Sequence, residues 1–137
     1  MTMNFVVLDP TTGQVWFINA GHTHPLLWKD QKMTVTQLIG AGSILGSQQR
    51  VTTATHPVSR SQLEKGDCFF LYTDGLTENK GVGGKLSRRE LRSFLTNVGD
   101  VKERRDALVS KLQTAWGEIV PADDCAFLFV KWTGTGL

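Results

Sequence analysis

The chain has 137 residues, 40% of them hydrophobic and 20% charged, with a mean hydropathy of -0.15, which excludes a disordered or fibrous chain. At this length folding removes about two thirds of the accessible surface from water, enough for one domain with its own core. Fifteen Lys plus Arg against thirteen Asp plus Glu leave a net charge of +2, too little for a general nucleic-acid footprint, and no apolar run reaches the roughly 18 residues of a membrane span.

Apolar residues recur at period two through the first half of the chain, which predicts strands. Met3 to Asp9 and Gln14 to Ala20 flank Pro10-Thr11-Thr12-Gly13 as a hairpin, and Pro25 to Lys29 with Lys32 to Leu38 make a second. Ile39 to Gln49 holds three glycines and two serines, which predicts a loop with Ile44-Leu45 tucked inward. Val51 to Val58 resumes the alternation as a strand, Ser59 to Asp67 is a connection, and Cys68 to Tyr72, apolar on both faces, is a central buried strand.

From Thr73 onward the period changes. Ser87-Arg88-Arg89-Glu90 is a capping box, and Leu91, Phe94, Leu95 and Val98 recur at helical spacing, so a helix is expected over about Arg88 to Asn97. Asp100 and Glu103 cap a second helix from Val101 to Trp116, whose apolar stripe is Leu108, Leu112, Ala115 and Trp116. Cys125 to Trp132 closes the chain as a strand. The pattern contains no internal repeat and no boundary between two domains.

Two acidic segments sit where buried strands end or begin. Tyr72-Thr73-Asp74-Gly75 places a carboxylate at a strand end, and Asp123-Asp124 precede the last strand. Carboxylates at the tips of neighbouring strands make an oxygen-rich site suited to a hard cation such as Mg2+ or Mn2+. The bland alternative is that Asp74 is a turn residue and Asp123 a strand cap.

His22 and His24 share H-x-H spacing, with His56 as a third ligand of a zinc site or all three as structural histidines. Glu78 approaches Asp74 if Thr73 to Lys80 coils. Gly81-Val82-Gly83-Gly84-Lys85 lacks the P-loop spacing and reads as a flap. Arg88, Arg89, Arg92, Arg104 and Arg105 form a basic or solvated helical face. Cys68 and Cys125 sit inside apolar runs, outside any disulfide or CxxC spacing, as buried free thiols of a reducing, cytoplasmic compartment. The start Met1-Thr2-Met3-Asn4 lacks the features of a signal peptide.

The order of segments is itself informative. Leu8-Asp9, Thr12-Gly13, Asn19-Ala20-Gly21-His22, Pro25-Leu26-Leu27, Gly42-Ser43-Ile44-Leu45-Gly46, Leu63-Glu64-Lys65-Gly66-Asp67, Leu71-Tyr72-Thr73-Asp74-Gly75-Leu76-Thr77-Glu78 and Asp123-Asp124 follow one another. This succession resembles the SpoIIE-like bacterial branch of the PPM (protein phosphatase 2C type) serine/threonine phosphatases across nearly the whole chain.

The resemblance implies an α+β fold, a PPM-type α-β-β-α sandwich of two antiparallel sheets flanked by helices, with a binuclear Mn2+ or Mg2+ centre at one edge. It implies that Asp74 and Asp123 are the catalytic metal carboxylates, that Gly75 and Asp124 support the metal site, and that water attacks phosphoserine or phosphothreonine without a covalent enzyme intermediate. The implied partner is a phosphorylated signalling protein, an anti-sigma-factor antagonist of the STAS type.

The chain departs from that pattern in lacking the early Asp and the Asp-x-x-Gly-His-Gly motif that supply the bridging carboxylate and a carbonyl ligand. Residues 1–137 are therefore expected to form the C-terminal portion of such a domain and to be inactive alone, since Mg2+ demands a near-complete oxygen shell. A non-catalytic binding or oligomerisation module is the competing expectation, and uncovered sheet edges suggest a homodimer or strand-swapped assembly. A metal-independent hydrolase using His22 or Cys68 is a third, without a visible base beside Cys68.

Overall fold

Alternation of apolar residues sets the first hairpin, β1 (Met3–Leu8) and β2 (Gln14–Ala20), which pair antiparallel from Met3 opposite Ala20 to Leu8 opposite Val15. In the turn, the Asp9 carboxylate accepts hydrogen bonds from the Thr11 backbone at 2.8 Å and the Thr11 hydroxyl at 2.6 Å. Gly13 has φ 74°, and a Cβ there would meet Leu63 O and the Trp132 ring at 2.9 Å, so the turn needs glycine twice over. The computed structural model describes residues 1–47, 50–82, 84–96 and 99–134.

The second hairpin is β3 (Leu26–Lys29) with β4 (Thr34–Gln37). There follow β5 (Ser59–Gln62), β6 (Cys68–Tyr72), α1 (Gly75–Glu78), β7 (Lys80–Gly81), β8 (Gly84–Lys85), α2 (Arg88–Thr96), α3 (Val101–Trp116) and β9 (Phe127–Lys131). Both expected capping boxes form: Glu90 receives the Ser87 N–H at 2.8 Å, and Glu103 receives that of Asp100 at 2.9 Å. The expected ends of the first helix, Asn97 and Val98, lie outside the described residues, as do Gln48, Gln49 and Gly83.

The strands form a three-stranded sheet, β1-β2-β5, a four-stranded sheet, β4-β3-β6-β9, and the small β7-β8 pair. Period-two alternation in β3 and β6 splits their side chains between two cores. Leu27 and Phe69 face the other sheet and meet Val15 and Leu63, while Leu26, Phe70 and Tyr72 face the helices and meet Leu76, Leu91, Leu95, Leu108 and Leu112. Phe70 stacks with Tyr72 at 5.3 Å between ring centroids and lies 4.5 Å from Phe129. The layers are therefore sheet, sheet and helices, an incomplete α-β-β-α sandwich: among the described residues no helix covers the outer face of the first sheet.

Four expectations are corrected. Val51 to Val58 is not a strand, because Thr52 and Thr55 bond each other's main chain, with Thr52 N to Thr55 Oγ1 at 2.9 Å, and Pro57 has no N–H to offer a ladder. The strand comes just afterwards, within the expected connection, where the polar β5 pairs with β2. Ile44 is exposed instead of tucked inward, and only its neighbour Leu45 is half-buried. Arg104 does not belong to a solvated face: its guanidinium sits 4.4 Å over the Trp28 ring and donates to Leu95 O at 2.9 Å and Gly99 O at 2.7 Å. Burial lowers its pKa from the usual value, and the charge closes the C-terminal end of α2.

Candidate functional site

The ladder between β6 and β9 continues past Tyr72, where Thr73 N donates to Ala126 O at 2.9 Å. The Thr73 hydroxyl then donates to Asp124 O at 2.9 Å and accepts from Ala126 N at 3.0 Å. Asp74 turns the chain into α1 and caps it, accepting from Gly75 N at 3.1 Å. Gly75 touches the opposite segment so closely that a Cβ would stand 2.3 Å from Asp124 O and 3.2 Å from Asp123 O. At the end of α1 the buried Asn79 donates to Asp123 O at 2.7 Å and accepts from Asp123 N at 2.9 Å.

These bonds buckle the segment carrying Asp74 and Gly75 to the one carrying Asp123 and Asp124. The three carboxylates lie exposed, and Asp123 uses one oxygen to accept from Asp124 N at 2.8 Å. Asp74 is thus a turn and cap residue, as the bland alternative has it, with lone pairs left for solvent. Thr73 and Asn79 were not singled out by the sequence reading, although both flank the Asp-Gly turn. Glu78 is exposed on the one-turn helix between them.

The loop after β2 abuts this corner. Asn19 builds it, donating to His22 O and Asn4 Oδ1, both at 2.8 Å, and accepting from His22 N at 3.1 Å. The Thr23 hydroxyl donates to Tyr72 O and fastens the loop to the end of β6. His22 consequently borders an open cleft of about 220 Å³ with Tyr72, Thr73, Ala126 and Phe127.

The histidines do not converge. The His22 ring meets Thr2 Oγ1 at 3.2 Å, whereas His56, buried in another loop, meets Ser43 O at 2.8 Å. Among the described residues no group of three or more His, Cys, Asp or Glu is gathered in a way that could hold a metal ion. The zinc alternative therefore has no support, and the carboxylate corner offers oxygen donors for only part of a cation's shell. Gly81-Val82 is not a detached flap, because Val82 N donates to Ala115 O at 2.7 Å at the end of α3. Burial pushes the Cys68 thiol up to about 11, which removes it as a nucleophile.

The profile of the family described as Stage II sporulation protein E (SpoIIE) matches residues 1–133. The chain belongs to this family. Among solved structures, a Mycobacterium tuberculosis protein with RsbU and RsbW domains is similar at 27% identity and a TM-score of 0.70, over 98% of this chain and 37% of that one. The Mn-presoaked phosphatase domain of SpoIIE from Bacillus subtilis matches at 18% identity and 0.71, over 99% of this chain and 58% of its own. The SiaA-PP2C domain of Pseudomonas aeruginosa matches at 23% and 0.71, over 87% and 46%.

The chain thus spans between about a third and three fifths of the length of these SpoIIE-type and PP2C-type chains, and its α+β sandwich is theirs. No helix among the described residues is long and apolar enough to cross a membrane.

Proposed function

We propose that the chain carries the late carboxylates of a metal-dependent phosphatase that hydrolyses phosphoserine or phosphothreonine on a signalling protein, a STAS-type anti-sigma-factor antagonist. On this reading residues 1–137 are the C-terminal portion of the phosphatase domain of a bacterial, cytoplasmic signalling protein. Membership of the SpoIIE family supports the reaction class, and the RsbU and RsbW domains joined in one similar protein support the partner class. The observation that carries the proposal is the pair of hydrogen bonds between Asn79 and the Asp123 backbone, which with Thr73 joins the two acidic segments at one corner.

Each residue has a task in this corner. Asp74 and Asp123 are the carboxylates that hold Mn2+ or Mg2+, an all-oxygen donor set that suits hard cations. Gly75 admits the Asp124 carbonyl, and Asp124 adds negative charge beside it. A bound cation supplies Lewis-acid charge for the phosphoryl oxygens and lowers the pKa of a water. Asn79 and Thr73 keep the two segments from drifting apart, so that the carboxylates are oriented before a cation arrives.

With no third acidic or imidazole ligand gathered among the described residues, cation binding by this chain is weak and turnover low. That same observation favours a second reading, a non-catalytic phosphatase-fold binding or oligomerisation module. Calorimetric titration with Mn2+, run beside Asp74→Asn and Asp123→Asn and with aryl phosphate turnover in the same samples, tests both. The phosphatase reading expects weak binding abolished by either substitution. Binding that ignores both substitutions would refute the site, and a folded chain with neither binding nor turnover favours the module.

A further inference from the structure

From the acidic corner to α2 the chain carries side chains of the opposite sign. Lys80 follows directly on Asn79, the residue that bonds Asp123, and in the β7–β8 ribbon it stands opposite Lys85. Arg88 and Arg89 then open α2. Arg92, one turn on, donates to the neutral Gln37 at 2.6 Å, where β4 ends on the Asp74 side of its sheet. All five cations are exposed. Among the described residues the ion pairs are Lys29 with Asp67 and Arg105 with Asp106, so none of the five has a carboxylate partner.

This placement runs against the local rules. Like charges directly across a two-stranded ribbon repel, and cations in the first turn oppose the positive end of a helix dipole. The one acid in that turn of α2, Glu90, is held by Ser87, accepting from its N–H at 2.8 Å and its hydroxyl at 2.6 Å. A fold keeps such conflicts where another demand outweighs them. Burying five unpaired cations carries a large desolvation cost, so the patch belongs to the outside of a domain and not to a core face.

We propose that Lys80, Lys85, Arg88, Arg89 and Arg92 dock an acidic stretch of a partner protein, next to the corner that takes its phosphorylated residue. The role of the corner rests on the phosphatase reading, whereas the docking needs only the charges. A protein fits this surface better than a nucleic acid does. Asp74, Asp123 and Asp124 beside the patch repel a uniformly anionic polymer, but a polypeptide can set carboxylates against the lysines and arginines and leave the corner clear. Val82, 78% exposed at the turn of the ribbon between Lys80 and Lys85, offers an apolar contact that a polypeptide can use and a phosphate backbone cannot.

Fluorescence anisotropy in metal-free buffer tests it, with a labelled peptide that carries one phosphoserine beside a run of glutamates and a second in which glutamines replace them. The glutamate peptide is expected to bind at least about tenfold more tightly, with an affinity that falls as salt rises. Lys85→Glu with Arg88→Glu should remove about that factor and leave the urea unfolding midpoint unchanged or higher. The first creates an opposite-charge pair with Lys80, and the second suits the helix dipole; a merely structural role would lower both readouts. Lys102→Glu with Arg105→Glu makes the same change of charge at the start of α3, where Arg104 meets Trp28 near the Asp67 end of β6, and should leave binding within about twofold. Equal losses in the two double variants, equal binding of the two peptides, or tighter binding of a thymidine oligonucleotide each overturn the proposal. Docking that fails while Mn2+ still binds overturns this inference alone, and docking that holds while Mn2+ binding fails supports it and refutes only the catalytic reading.

Discussion

β6 has a carboxylate at each end, and the two ends are built differently. Asp67, just before the strand, is 1% exposed and accepts from Lys29 Nζ at 2.7 Å, Asp30 N at 3.0 Å and Glu64 N at 2.9 Å. Asp74, just after it, is exposed and its side chain accepts from the neighbouring Gly75 N, while Asp123 beside it uses one oxygen to accept from Asp124 N. A carboxylate has about four lone-pair sites. At Asp67 three of them are taken up in tying the β3–β4 turn to the β5–β6 connection, whereas at the other end most face solvent. The same residue type is a structural knot at one end of the strand and a solvent-facing cap at the other.

The sharpest way to break this contrast is to remove the side chains at both ends. Asp67→Ala leaves Lys29 without its partner and two backbone N–H groups unsatisfied in a buried place, which should cost about 3–4 kcal/mol in urea unfolding. Asp74→Asn keeps a capping oxygen, and it and Asp123→Asn should each stay within about 0.5 kcal/mol of wild type. Equal losses at the two ends would abolish the distinction.

Asn79 sharpens it by separating architecture from charge. Its two bonds to Asp123 are the link between the acidic segments, so Asn79→Ala should cost about 1–2 kcal/mol and also weaken Mn2+ binding measured by calorimetry, although Asn79 contributes no charge. Stability lost with metal binding unchanged would mean that the corner orients its carboxylates without this clamp.

How much of this was legible in the sequence depends on the range of the interaction. The hairpins, the two capped helices and the buried run at Cys68 to Tyr72 are written in local periodicity and capping residues, and they stand where those signals put them. The acidic strand ends were legible too, because Asp-Gly after an apolar run is a local signal. Asn79 was not, since its partner lies 44 residues away and nothing local marks it. β5 was missed because Ser-Arg-Ser-Gln has no strand-like alternation of polarity; it is a strand because β2 offers it an edge. Arg104 carried a signal that charge obscured: it precedes Leu108 and Leu112 by four and eight positions, on the buried stripe of α3.

The smallest effect tests how tightly the Asp67 end is closed. Cys68 begins β6 next to Asp67, and burial pushes its thiol from 9.0 up to about 11, against a weaker opposing pull from Arg104. The unfolded chain therefore releases this proton first, and between those two values the native state binds more protons than the unfolded one. The stability tied to the protonated thiol is complete below pH 9 and declines as the pH rises toward 11, by about 1 kcal/mol at pH 10. Urea unfolding midpoints at pH 8 and pH 10 should show this decline in wild type and a smaller one in Cys68→Ala, compared as slopes so that the cost of the substitution itself drops out. If both chains lose stability equally, the thiol ionises as freely in the fold as out of it. The Asp67 end of the strand would then be as open to water as the Asp74 end.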